Sequence, residues 1–116
     1  MTYAKLQIQN PKNSNKSAKI TFLIDSGATY SLVPKEILKQ LEIKPFTKRD
    51  FFMANGECVE RELGAAKFKY RRKVGYANVV FAEKGDEPLL GVTTLEAMGL
   101  GLNPLQRTIV PIKLHL

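Results

Sequence analysis

Phe22-Leu23-Ile24-Asp25-Ser26-Gly27-Ala28-Thr29 is the stretch on which the reading of this chain turns. The residues leading into it, AKITFLI over 18–24, are β-branched, aromatic and finally continuously apolar. They predict a strand whose end is buried on both faces. Asp25-Ser26-Gly27 breaks the run. An acid at that point sits where a lone charge is poorly solvated. Gly27 permits a backbone path closed to other residues and lets a substrate or a second chain come close. Asp-Ser-Gly is also an ordinary turn sequence, so the tripeptide needs its surroundings to mean more.

Outward from that stretch, the chain punctuates itself clearly. Residues 2–9 alternate, with Ala4, Leu6 and Ile8 on one side, and predict a half-buried strand. Residues 10–17, NPKNSNKS, read as a loop. After Ala28–Val33, Pro34 is expected in the first turn of a helix, PKEILKQL, whose apolar face is Ile37, Leu38 and Leu41. Residues 51–64 predict a hairpin turning on Asn55-Gly56 as a two-residue turn. Strands follow near 65–71 and 76–82, joined around Arg72–Gly75. Pro88-Leu89-Leu90-Gly91 is a second apolar run, and a short helix over Thr93–Met98 is stopped by Gly99. Residues 107–116 predict a last extended segment, at an edge or interrupted because Pro111 lacks a backbone donor. The expectation is a mainly β single domain over 1–116, with about seven strands and two short helices.

One supersecondary unit occurs twice. The first half runs apolar strand, Asp25-Ser26-Gly27, connection, helix, then Leu41-Glu42-Ile43-Lys44-Pro45. The second runs Leu89-Leu90-Gly91, connection, helix, then Leu100-Gly101-Leu102-Asn103-Pro104. Two unrelated strand–helix units are the plainer explanation of the same pattern.

Composition bounds the function. The 116 residues suffice for one core, and 44% hydrophobic with 25% charged residues argues against global disorder. No apolar run approaches the ~20 residues that span a bilayer, and the N-terminus lacks a signal-like apolar region. Cys58 is the one cysteine, so no intrachain disulfide forms and a cytoplasmic location is expected. With one His and one Cys, no protein-built zinc site and no cofactor are expected. The net charge is +7, of which Lys67, Lys69, Arg71, Arg72 and Lys73 supply five. This stretch, interleaved with Phe68 and Tyr70, is a candidate nucleic-acid contact. A solvated strand face is the plain alternative.

Taken in order, the apolar run with Asp25-Ser26-Gly27-Ala28, the hairpin with Ala54-Asn55-Gly56, and Leu89-Leu90-Gly91 resemble the retropepsin-like aspartic proteases. The resemblance implies a small closed acid-protease barrel with a pseudo-twofold subunit. It implies Asp25 as the catalytic carboxylate and Ser26 as a brace across a dimer axis, with Gly27 beside the substrate and Ala28 and Thr29 completing the loop. It makes the hairpin of Met53, Ala54, Asn55 and Gly56 a flap over a peptide or protein substrate, with Leu89, Leu90 and Gly91 behind the active-site loop. The terminal segments 2–9 and 107–116 would supply an interface sheet.

Asp-Ser-Gly occurs once, and the second unit carries Leu-Leu-Gly in its place. A homodimer supplies the missing acid, because a twofold axis sets identical residues opposite one another. Ala28 has no hydroxyl to donate to a carboxylate, so an activity optimum nearer mildly acidic or neutral than strongly acidic pH is expected. The competing readings are a non-catalytic module that binds extended peptides on the same fold, and a nucleic-acid-binding protein using Lys67–Lys73.

Overall fold

Alternation at the start of the chain becomes β1, Tyr3–Asn10, with Leu6 and Ile8 buried and Lys5 facing solvent. A computed structural model describes residues 1–113. Strand β2, Asn13–Ile24, pairs antiparallel with β1 from Tyr3↔Leu23 to Asn10↔Asn13. Residues 13–17 are therefore strand rather than loop. Their polarity carries no period, but Asn13 and Ser17 pair with Asn10 and Gln9 of β1 across a register shift that passes over Ser14–Lys16, and their side chains need no core. The turn is confined to Pro11-Lys12, where the Lys12 N–H donates to Asn10 Oδ1 at 2.8 Å.

The chain continues with β3 (Ser31–Pro34), α1 (Lys35–Gln40), β4 (Thr47–Phe52), β5 (Cys58–Tyr70), β6 (Lys73–Ala82), β7 (Leu89–Leu90), α2 (Val92–Ala97), β8 (Leu100–Asn103) and β9 (Thr108–Pro111). There are thus nine strands among the described residues, not about seven. Pro34 ends β3 with φ −51° and ψ 130°, so it precedes α1 instead of opening its first turn. Strand β5 runs unbroken through the region expected to divide near residue 64. It reverses into β6 at Arg71-Arg72, with Arg71 at φ +55°, earlier than the expected Arg72–Gly75 joint.

The main sheet has the order β1-β2-β7-β3-β6-β5-β4, and β1 also pairs with β5 through Gln7↔Lys69, Ile8↔Phe68 and Gln9↔Lys67. That extra pairing closes six strands into a barrel and leaves β4 outside it on the hairpin arm of β5. Closure removes the edges that an open sheet would expose. Phe22 and Phe68, both fully buried, meet inside with ring centroids 6.2 Å apart. Leu6, Ile8, Val33, Leu38, Leu90 and Leu95 pack around them. Truncating either Phe to Ala would cost about 3–5 kcal/mol.

The repeated unit is visible at the helix ends. Each helix has six residues, and each is followed by a C-cap and then a left-handed residue: Leu41 and Glu42 (φ +58°) after α1, Met98 and Gly99 (φ +73°) after α2. Ile43 and Leu100 then both turn into the core. The matching positions are offset by two residues from the pairing of Leu41 with Leu100 that the sequence suggests. The first unit also inserts β3 between its loop and its helix, where Gly91 leads directly into α2.

Both terminal segments pair within the chain. Strand β1 has neighbours on both edges over Gln7–Gln9, and β9 pairs with β8 in a separate two-stranded sheet, Pro111 at its end. Gln7–Gln9 are therefore held on both sides within the barrel, whereas Tyr3–Leu6 pair with β2 alone. The 114–116 part of the expected last segment lies outside the described residues.

Candidate active site

Asp25 leaves the end of β2 where three chain segments meet. Strand β7 lies parallel to β2, Leu23↔Leu89 and Ile24↔Leu90, and also touches β3 at Leu32↔Leu89. The ladder extends past the strand end: the Asp25 N–H donates to the Leu90 carbonyl at 3.1 Å. The loop then curls on itself. The Gly27 N–H donates to Asp25 Oδ1 at 2.9 Å, and the Ala28 N–H to the Asp25 carbonyl at 3.1 Å. The first bond orients the carboxyl group and places one fixed donor on it. Asp25 is half-buried, Ser26 and Gly27 are exposed and Ala28 is half-buried.

Leu90 is fully buried and Leu89 half-buried, so the second apolar run sits directly behind the Asp25 loop. The far side of the loop is tied to α2. Val92 N–H donates to the Ala28 carbonyl at 2.8 Å, and the Thr93 hydroxyl to the Thr29 carbonyl at 2.6 Å. Below it, the buried Ser31 Oγ accepts from the Gly91 N–H at 2.9 Å and shares a hydrogen bond with Thr94 Oγ1 at 2.5 Å. Sequence reading passed over Ser31 and Thr94. The signal was faint: two hydroxyl residues at otherwise apolar positions, 63 residues apart. Thr94→Val keeps the shape and removes that partner, so unfolding should cost roughly 1–3 kcal/mol less. A lower denaturant midpoint with unchanged slope would show it.

Above the loop stands the β4–β5 hairpin. Its tip is a three-residue loop, Ala54–Gly56, not the two-residue turn expected. Met53 N–H donates to the Glu57 carbonyl at 2.8 Å, and Gly56 N–H to the Met53 carbonyl at 2.9 Å. Gly56 has φ +88°, the left-handed position such a loop requires. Asn55 Oδ1 accepts from the Glu57 N–H at 2.9 Å. The Phe51 ring meets Tyr30 edge-on at 6.0 Å between centroids, joining hairpin to loop. Phe52 is 82% exposed, and Cys58 begins the returning strand as an exposed thiol.

Between hairpin and loop lies a cleft of about 700 Å³, with Asp25 and Gly27 on one side and Phe51, Met53 and Ala54 on another. Its lining is largely apolar, and it is large enough for a peptide segment. A third wall is the loop after β6. Asp86, half-buried, and Glu87, exposed, belong to this wall. Asp86 is the acceptor of the Glu83 N–H at 2.9 Å and lies 3.6 Å from the Arg61 guanidinium on β5, both side chains largely covered. Glu87 accepts from the Tyr3 hydroxyl at 3.3 Å, and its charge raises the Tyr3 phenol above the ordinary tyrosine range. Asp86 is thus engaged elsewhere and Glu87 is occupied at the rim. Neither stands in for a second Asp25. The described residues hold no cluster of three His, Cys, Asp or Glu that could bind a metal. Among the described residues no helix is long and apolar enough to cross a membrane.

An acid held at the end of a barrel strand, beneath a hairpin and beside an apolar cleft, is the arrangement of an acid protease. The family described as "gag-polyprotein putative aspartyl protease" matches residues 13–97, and the chain belongs to it. The solution structure of Simian Foamy Virus (mac) protease is similar in fold, with a TM-score of 0.57 and 21% identity over 82% of this chain and 92% of that one. No curated protein matches the sequence. In family and in fold this is a retropepsin-like aspartic protease.

Proposed function

We propose that the protein is a homodimeric aspartic endopeptidase whose two Asp25 carboxyl groups, one from each chain, activate a water. The observation that carries this reading is the pinned acid itself. Asp25 is fixed by the Leu90 carbonyl and the Gly27 N–H at the wall of an apolar cleft that contains no other uncommitted acid among its described lining residues.

One carboxyl group cannot act as base and acid in one step. Two at close range cannot both ionise, so they share a proton, as aspartic proteases are known to do. The ionised Asp25 takes a proton from water while its protonated counterpart donates to the scissile carbonyl oxygen. The pair titrates as a unit. General acid–base catalysis supplies about 10²–10⁴-fold. The further factor that brings enzymes to about 10⁶-fold or more comes from positioning and from excluding water. The β4–β5 hairpin is assigned that role as a flap: Phe52, Met53, Ala54, Asn55 and Gly56 close over the substrate. Ser26, exposed beside Asp25, braces the two loops across the axis. A cytoplasmic location suits the exposed, unpaired Cys58 thiol.

Dilution tests the dimer. Cleavage of a peptide library should show a specific activity that rises with protein concentration and levels off as the sedimenting mass reaches twice 13.0 kDa. In the same assay the pH profile should peak at mildly acidic to neutral pH, because Ala28 offers no hydroxyl to the carboxyl pair. Full specific activity from a monomer would end the dimer reading. Peptide binding without turnover would favour the non-catalytic module.

A further inference from the structure

The outer face of the barrel opposite Leu6 and Ile8 carries a concentration of cations that the protease reading does not use. Lys5 and Gln7 on β1, Lys19 on β2, Lys69 on β5 and Arg71 in the β5–β6 turn line a single shallow groove. The ladder explains how they meet. Gln7 lies opposite Lys19 on one side and Lys69 on the other, so one row crosses three strands. At about 4.8 Å per strand, that row spreads its two lysines about 10 Å apart. Lys5 lies two residues along β1 from Gln7, and Lys67 two residues along β5 from Lys69, each about 7 Å away on the same face.

Lys5, Lys19, Lys69 and Arg71 are exposed, and Lys67 is half-buried. None of the five forms an ion pair among the described residues; the three pairs present involve Lys16, Lys35 and Arg61. Like charges gathered on neighbouring strands repel one another. These five account for most of the net charge of +7. The set differs from the linear run 67–73, because two of its members come from β1 and β2, far away in sequence.

Aromatic rings accompany the cations. Tyr76, cross-strand from Lys67, is 61% exposed with the Lys67 ammonium 6.0 Å from its ring centre. Arg71 lies 5.1 Å from the ring of Tyr70. A strand surface that offers both cations and an exposed ring suits phosphates joined to unpaired bases, which have faces free to stack. A duplex keeps its base faces covered. The groove shares no residue with the cleft around Asp25.

We propose that this face is a binding site for single-stranded nucleic acid, with Lys5, Lys19, Lys67, Lys69 and Arg71 on the phosphates and Tyr76 under a base. The site does not depend on the protease reading. The test is fluorescence anisotropy of the full chain with a labelled oligouridylate and a labelled oligothymidylate of about 16 nucleotides. Binding through five cations should give a log–log salt slope of about −3.5, or roughly a 100-fold loss between about 50 and 200 mM salt. Lys19→Gln with Lys69→Gln should bring the slope to about −2, at unchanged melting temperature and peptide cleavage. Tyr76→Ala should weaken binding roughly tenfold with little change in slope. No binding at low salt, or an undiminished slope in the double variant, would overturn the proposal. Equal or tighter binding to polyglutamate or to phosphatidylserine vesicles would overturn it too, since either assigns the face to a different partner.

Discussion

Asp25→Asn is expected to abolish peptide cleavage while leaving the melting temperature and the sedimenting mass unchanged. The substitution is nearly isosteric. The Asn side-chain oxygen can still accept from the Gly27 N–H, which at 2.9 Å orients the present carboxyl group. The backbone bond from residue 25 to Leu90 is indifferent to the side chain. What disappears is the ability to take a proton from water and to return one. General acid–base catalysis supplies about 10²–10⁴-fold, and a dyad that loses both partners should fall at the upper end or beyond. A 10⁴-fold loss corresponds to about 5 kcal/mol of transition-state stabilisation. Purified variant and parent would be compared by single-turnover cleavage, with circular dichroism confirming the fold. A linked dimer carrying one Asn and one Asp should be as inactive as the double variant, because the mechanism needs two acids in different protonation states. Half the parental rate from that linked dimer would mean that each Asp25 acts alone. Unchanged cleavage by the variant would remove the mechanism entirely.

The parts of this site that the sequence displays are those set by local chemistry. The apolar run before Asp25 had to be a buried strand, and Ile24 is buried. Asn55-Gly56 had to mark a reversal, though the extra residue in the hairpin loop depends on which backbone groups pair across it. The alternation of Leu6 and Ile8 had to face a core. Other features depend on partners distant in sequence. Asn13–Ser17 look like a loop because their side chains are polar; they continue β2 because β1 holds the stretch at both ends, Asn13 by Asn10 and Ser17 by Gln9. Asp86 looks like part of a surface loop until Arg61 is found against it. Ser31 and Thr94 acquire meaning only once Gly91 stands between α2 and β3. The basic face is the same kind of case. Lys67–Lys73 is conspicuous as a run, yet the groove draws on Lys5 and Lys19, which barrel closure brings to it. Charge in a sequence is one-dimensional, and strand pairing decides which charges are neighbours.

Gly91→Ala is expected to be the most damaging single-methyl change near the cleft. The reason is crowding, since Gly91 has φ −88°, which any residue can adopt. A β-carbon there would lie 2.6 Å from both the carbonyl carbon and the carbonyl oxygen of Tyr30, and 2.8 Å from the Thr29 oxygen. Those are backbone atoms, held on the other side by bonds from Thr93 to the Thr29 carbonyl. They cannot swing aside as a side chain would. Overpacking usually costs 1–3 kcal/mol, and contacts this short against fixed backbone should cost about 3–4 kcal/mol. The displaced segment is the continuation of the Asp25 loop, so the effect should reach catalysis as well. A misplacement of about 1 Å at a reacting group can cost about 10²-fold in rate. Gly75→Ala separates the two effects. Its β-carbon would lie 2.5 Å from the Ala97 carbonyl oxygen, an equally severe clash where β6 meets the end of α2, away from the Asp25 loop. Both variants should lose stability to a similar degree by urea denaturation. At temperatures where each remains folded, Gly91→Ala should cleave about 10²-fold more slowly than the parent and Gly75→Ala at close to the parental rate. Equal rates for the two would mean that the contact between Gly91 and Tyr30 stabilises the barrel without setting the position of Asp25.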